Sequence, residues 1–235
     1  MARILLLETS AATLSVALSE DGQVVQERIC TEPRQQASLA APLVKEVLDA
    51  AGLAVSSCDA VCVSKGPGSY TGLRVGVSTA KGLCFGASIP LLSIGTLDVL
   101  VAGEIRRSEP ANDEAKKPAF IVPMIDARRM EVYTAVFSPG GKQLTEVEAR
   151  IIGPDSFADE LSQGPVLFVG DGALKCREVL TSPNARFREA VPLASAMAPL
   201  AEAAWQEKRF EDLAYFEPYY LKDFVATVSR KRPWQ

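Results

Sequence analysis

The alternation of apolar and polar positions divides the chain into short strands and a few helices, and it does so twice. Arg3–Glu8 is an apolar run, 14–19 alternates, and Gln23–Cys30 continues after Asp21-Gly22, a dipeptide that marks a tight hairpin turn. A helix is predicted over 35–51, closed by Gly52 as a left-handed cap. Its apolar positions cover two faces: Leu39, Leu43 and Val47 on one, Ala40, Val44, Leu48 and Ala51 on the other. That arc is wider than one sheet face requires. A strand over 59–64, a glycine-rich turn over 65–72, a helix over 71–85, a strand over 89–93 and a short helix from Thr96 complete the first unit.

Residues 103–118 hold eight charged residues and two prolines with no apolar period, and read as a linker. The pattern then restarts. Strands are expected over 119–125, 131–137 and 144–151, with Asp126-Ala-Arg-Arg joining the first two. A helix over 155–161, the strand Val166–Val169, a helix opened by Gly170-Asp-Gly-Ala and a long helix over 194–208 follow. This repetition implies an internal duplication within an α/β fold. One lobe spans 1–102 and the second 103–211, with 212–235 expected to pack back on the first.

Composition removes several chemistries. The 235 residues include no histidine, so imidazole acid–base catalysis, Ser-His-Asp and Cys-His triads and His-ligated metals are excluded for this chain alone. The five cysteines are scattered without a CxxC pair and flanked by apolar residues, as reduced core thiols are. The net charge of −4 argues against coating nucleic acid by bulk charge. The segment 222–235 alone carries a net +3, from Lys222, Arg230, Lys231 and Arg232 against Asp223, which a solvated end or an RNA contact would both explain. The run Ile4 to Leu7, interrupted by Glu8, is too short for a secretory leader, and no apolar stretch is long enough to span a membrane. A cytoplasmic protein is expected.

Three turns stand where chemistry is expected. The segment 66–72 has the glycine density of a phosphate loop but lacks the Gly-Lys-Ser/Thr of a Walker motif, since Leu73-Arg74 follows. Glu8-Thr9-Ser10 ends the first strand, Asp126 holds the matching place in the second half, and Gly170-Asp171-Gly172 comes later. Two equivalent hairpin turns plus a Gly-Asp-Gly are the places where the actin, Hsp70 and sugar-kinase fold grips a nucleotide. Glu8 and Asp126 would then hold Mg²⁺ through water. The plainer reading makes them a strand-end carboxylate and a turn residue.

The sequences Arg3-Ile-Leu-Leu-Leu-Glu-Thr-Ser, Lys65-Gly-Pro-Gly-Ser-Tyr-Thr-Gly-Leu-Arg-Val-Gly and Ile125-Asp-Ala-Arg-Arg-Met-Glu-Val-Tyr resemble the bacterial TsaB (YeaZ) family, and the likeness runs on to Pro218-Tyr-Tyr-Leu. The resemblance implies a duplicated actin-like ATPase (ASKHA) fold. It also implies a non-catalytic, scaffolding and activating subunit for N6-threonylcarbamoylation of adenosine 37 in tRNAs reading codons that begin with A. The expected partners are the TsaD transferase as a heterodimer and the TsaE ATPase, with tRNA met through the complex, no membrane, and a homodimer when alone. No cofactor is expected to bind tightly here, because ATP and the metal ion belong to the partners. The transferase's His-x-x-x-His metal motif aligns near Thr96 and Leu100, which cannot replace it. An older description of the family as a glycoprotease or peptidase finds no support in these residues. The resemblance implies pairing through the first two helices, here Gln36, Leu39, Leu43, Val47, Val75, Ser78, Lys81 and Gly82, with about half of these required by the chain's own core. Gln36 stands where many relatives have histidine. Glu8, Thr9, Ser10, Asp126, Gly170, Asp171 and Gly172 remain as a vestigial nucleotide site. The alternative is a small-molecule kinase or phosphatase on the same fold.

Overall fold

A computed structural model describes residues 1–32, 34–107 and 117–222. The first sheet consists of β1 (Arg3–Glu8), β2 (Leu14–Glu20), β3 (Gln23–Cys30), β4 (Ala60–Gly66) and β5 (Leu91–Gly95), in the order β3-β2-β1-β4-β5. The second consists of β6 (Phe120–Asp126), β7 (Glu131–Thr134), β8 (Glu148–Ile151), β9 (Val166–Val169) and β10 (Ala185–Arg188), in the order β10-β9-β6-β7-β8. Read from its other edge, the second order repeats the first strand for strand. The pairings agree as well: the first three strands of each sheet are antiparallel, and the fourth and fifth run parallel to the first. The duplication is therefore topological, although the two halves share no visible sequence identity.

The local chemistry accounts for the elements. Asp21 and Gly22 both take positive φ, as a two-residue hairpin turn needs. Helix α1 (Gln36–Ala51) ends with Gly52 in the left-handed conformation. Helix α2 (Tyr70–Ala87) starts at Ser69, whose hydroxyl accepts from the Gly72 N–H at 3.3 Å.

One face of the first sheet, through Leu5, Leu7, Val61 and Val63, packs against α1 and α2. The other face, through Ile4, Leu6, Cys62 and Leu92, packs against α5 (Ala194–Gln206). Helix α3 (Thr96–Arg107) belongs to both lobes: Val99 joins the first-sheet cluster, whereas Leu97, Leu100 and Val101 pack with Ile121, Ile125, Phe137 and Val169 of the second. The remaining face of the second sheet packs with Phe157 and Leu161, the latter from α4 (Ala158–Gln163).

Several expectations change. Residues 103–107 are not linker but the last turns of α3, where Glu104 is buried and pairs with Arg188 across the lobes. A charge count misses this, because a buried Glu paired with an Arg on a distant strand looks like a solvated one in sequence. Residues 108–116, the rest of the expected linker, lie outside the described residues. The turn after Gly170 makes only a single 3-10 turn, Leu174–Cys176, and β10 is a strand that its Ala-Arg-Phe-Arg composition did not announce. Helix α5, grouped by sequence with the second lobe, covers the first sheet, since Ala194, Met197, Ala198 and Ala201 present the small residues that a close helix–sheet approach needs. The chain after α5 also returns to the first lobe. Glu211 N–H donates to Leu91 O on the edge strand β5 at 2.9 Å, and Tyr219 N–H donates to Lys65 O at 2.7 Å. Among the described residues no helix is long and apolar enough to cross a membrane.

Because α3 is common to both cores, Leu100→Ala is expected to cost about 2–5 kcal/mol. In urea denaturation monitored at two probes, both lobes should lose stability together in one transition.

Candidate functional site

The end of β1 and the start of α2 meet at close range, with Thr9 and Ser10 set against three glycines. Ser69 N–H donates to Ser10 O at 2.7 Å, and Thr9 Oγ1 donates to Gly72 O at 2.8 Å. A Cβ on Gly68 would strike Ser10, and one on Gly72 or Gly76 would strike Thr9. The glycine-rich loop is therefore pressed onto the very turn where the fold would seat phosphates. Glu8, Thr9 and Ser10 are all fully or almost fully buried.

The Glu8 carboxylate has an unusual environment. Its Oε1 accepts from Ser10 N–H at 2.6 Å and from Ser10 Oγ at 2.5 Å. Its Oε2 has no hydrogen-bond partner among the described residues, and the buried Ser64 hydroxyl near it also lacks one of good geometry. Burial raises the Glu8 pKa above the ordinary carboxylate value, opposed by the Ser10 hydrogen bonds.

The second-lobe turn is built differently. Arg128 and Arg129 both adopt positive φ. Asp126 Oδ1 accepts from Arg128 N–H at 2.7 Å and from Lys175 Nζ at 2.5 Å, while Asp126 N–H donates to Asp171 Oδ1 at 2.9 Å. Gly170 at φ 134° lies against Met124 O, and Gly172 lies against the Asp126 backbone. Packing around Asp171, then the charge of Asp126, raises its pKa. Asp126, Gly170, Asp171 and Gly172 are thus brought together. Sequence reasoning missed Lys175 and Lys222: Lys175 also donates to Glu131 O at 2.7 Å, and Lys222 pairs with the Glu131 carboxylate. Nothing in the sequence marked Lys175, and Lys222 stood out only as part of the basic C-terminal segment. Where the glycine-rich loop, Tyr133 and Tyr220 meet there is a cavity of about 40 Å³, far below the roughly 300 Å³ at which small-molecule sites begin. A larger groove of about 240 Å³ lies between α3 and the start of α5, and none of the predicted site residues lines it.

The residues expected at a partner surface separate into two groups. Val47 and Leu43 are core residues, 0% and 8% exposed, and Leu39 and Val75 pack partly into the same cluster. The wide apolar arc of α1 is consumed internally, because α1 is wedged between the first sheet and α2. Gln36 donates from Nε2 to Ala11 O and Ala12 O, at 3.0 and 3.1 Å, bracing the β1–β2 turn. Lys81 reaches the C-terminal segment, donating to Ala214 O and Phe216 O at 3.2 and 3.1 Å. Ser78 and Gly82 are exposed on the outer face of α2. Beside them stands Phe85, 80% exposed, which the helical pattern did not single out. The four helical glycines divide accordingly: Gly72 and Gly76 touch Thr9, whereas Gly82 and Gly86 have nothing among the described residues within 4 Å of where a Cβ would stand. Thr96 and Leu100, the positions expected to match the transferase's metal histidines, are buried on α3. The basic residues Arg230, Lys231 and Arg232 lie outside the described residues.

A family model described as TsaD, tRNA N6-adenosine threonylcarbamoyltransferase, matches residues 31–229. The tRNA threonylcarbamoyladenosine biosynthesis protein TsaB of Escherichia coli is 29% identical over 232 residues, covering 95% of this chain and 96% of the relative. The protein of the same name from Bacillus subtilis is 33% identical over 175 residues, covering 71% of this chain and 70% of the relative. Among solved structures, YeaZ from Pseudomonas aeruginosa superposes with a TM-score of 0.77 at 25% identity, covering 94% of this chain and 100% of that one. The chain belongs to the TsaB (YeaZ) family and has its duplicated actin-like fold.

Glu8→Gln keeps an acceptor for Ser10 and gives the orphaned side a donor for Ser64. A carboxylate whose folded pKa is raised contributes its full stability below the unfolded value, near 4.5, and loses it as pH rises through the folded value. The variant and the parent should therefore be equally stable near pH 4. By pH 8 the variant should be the more stable of the two. Thermal unfolding across pH measures this directly, and a parent at least as stable as the variant at pH 8 contradicts it.

Proposed function

We propose that this chain acts in tRNA threonylcarbamoyladenosine biosynthesis as a non-catalytic subunit. In this reading the outer face of α2, flanked by α1, pairs with a TsaD-type transferase, and a TsaE-type ATPase completes the assembly. The observation that carries it is the outward face of α2. Gly82 and Gly86 each cost about 1 kcal/mol relative to alanine in a helix, and among the described residues nothing lies within 4 Å of where a Cβ on either would stand. Phe85 leaves a large ring exposed on that face. Inner glycines on the same helix are justified by contact with Thr9. A partner helix that comes equally close would justify the outer pair.

The absence of histidine supports the non-catalytic role, since this chain cannot rebuild a His-x-x-x-His metal site at Thr96 and Leu100. The buried Glu8-Thr9-Ser10 turn likewise supports the reading that no nucleotide binds tightly here and that ATP and metal belong to the partners. Transfer of threonylcarbamate to tRNA would then occur on the partner, with tRNA met only through the assembled complex.

Reconstitution with the transferase, the ATPase and tRNA should give modified tRNA only when this chain is added; equal product without it sinks the role and returns attention to a kinase-like activity. Gly82→Arg should abolish partner binding in analytical ultracentrifugation while leaving the melting temperature nearly unchanged. Leu43→Asp, in contrast, should destabilise the isolated chain by several kcal/mol, because it places a charge in the core.

A further inference from the structure

The fold family implies a nucleotide with its divalent cation, and the residues at the two turns do not fit that pair as they stand. In the first lobe the turn is covered by the chain's own backbone. In the second lobe the obstacle is chemical. Lys175, with only 23% of its side chain exposed, holds its ammonium against Asp126 Oδ1 at 2.5 Å and Glu131 O at 2.7 Å. A carboxylate oxygen and a backbone carbonyl, with Asp171 tied to the Asp126 backbone beside them, are the hard oxygen donors that Mg²⁺ or Mn²⁺ selects. The other flank of Glu131 is also neutralised, by Lys222 from the C-terminal segment.

We propose that the Lys175 ammonium takes the seat of a divalent cation at the second-lobe turn, so that the turn carries its own counter-charge and accepts a divalent ion only when that ammonium is removed. This deepens the reading that the chain holds no nucleotide tightly, and rests on it. The geometry argues for occupation rather than simple surface pairing. Lys175 bonds a side-chain oxygen and a main-chain oxygen from the two ends of one hairpin turn, as a bound cation would, and so fixes the turn around a positive charge. Arg128 N–H is the second donor to Asp126 Oδ1, beside the ammonium, and holds that oxygen in place.

The test uses Mn²⁺ as the probe, with free Mn²⁺ followed by electron paramagnetic resonance on the full chain. The parent and Lys175→Arg should show no saturable binding, whereas Lys175→Ala should gain one site with a dissociation constant of about 1 mM, the weak end of protein cation sites. Asp126→Asn combined with Lys175→Ala should lose it again. Thermal unfolding checks each fold, and Lys175→Ser serves if the alanine variant does not fold. A folded Lys175→Ala or Lys175→Ser protein without Mn²⁺ binding overturns the assignment, as does a parent that binds Mn²⁺ equally well. A separate titration of the parent with Mg²⁺-ATP distinguishes the broader reading. Tight binding there defeats the no-nucleotide reading itself, while no binding there together with a silent Lys175→Ala defeats only the seat assigned to Lys175.

Discussion

The first lobe depends on one contact made by missing atoms. Thr9 and Ser10 touch Gly68, Gly72 and Gly76 so closely that a methyl group at Gly68 or Gly72 would strike a main-chain oxygen and one at Gly76 would strike the Thr9 side chain. This contact sets the position of α2 relative to β1, and so decides which side of α2 faces outward. It also covers the hairpin turn that would otherwise be available to phosphates. Two properties of the molecule, a covered turn and an uncovered helix face, therefore follow from the same packing. The cost is the buried Glu8 carboxylate, which ends β1 beneath the contact with one oxygen unpartnered among the described residues.

The two lobes arrive at a similar electrostatic condition by different means. In the first, burial raises the pKa of the acidic group at the turn, and the Ser10 N–H and hydroxyl are the donors that oppose it. In the second, the acidic groups keep solvent access and are answered by Lys175 and Lys222. A duplicated sheet gives equivalent positions for Glu8 and Asp126, at the ends of β1 and β6. Equivalent position does not give equivalent chemistry, because the segments packed over the two turns are unrelated. This is why fold alone is a poor guide to what such turns hold.

Most of the fold was legible because the strands here are apolar runs or apolar–polar alternations bounded by turn residues. Arg3–Glu8, Gln23–Cys30 and Val166–Val169 were read to the residue. The failures share a physical cause: each depends on a partner distant in sequence. Glu104 looks like linker until Arg188 is placed beside it. β10 is stabilised by pairing with β9 and not by its own composition. Leu43 and Val47 carried an apolar face whose destination, the sheet or a partner, a helical period cannot specify. The candidate site was half legible for the same reason. Asp126, Gly170 and Asp171 were found because turn chemistry is local, and Lys175 was missed because its role depends on a fold of the side chain back onto the turn.

The glycines of α2 give the most general lesson about such a surface. Repeated glycine in a soluble helix signals that something must come close, but it does not say whether that neighbour belongs to the same chain. Here the answer differs along one helix, since Gly72 and Gly76 are filled from within and Gly82 and Gly86 are not. Corresponding members of the two pairs are ten residues apart, which turns the second pair through about 80° from the first, at roughly 100° per residue, and carries it about 15 Å along the helix.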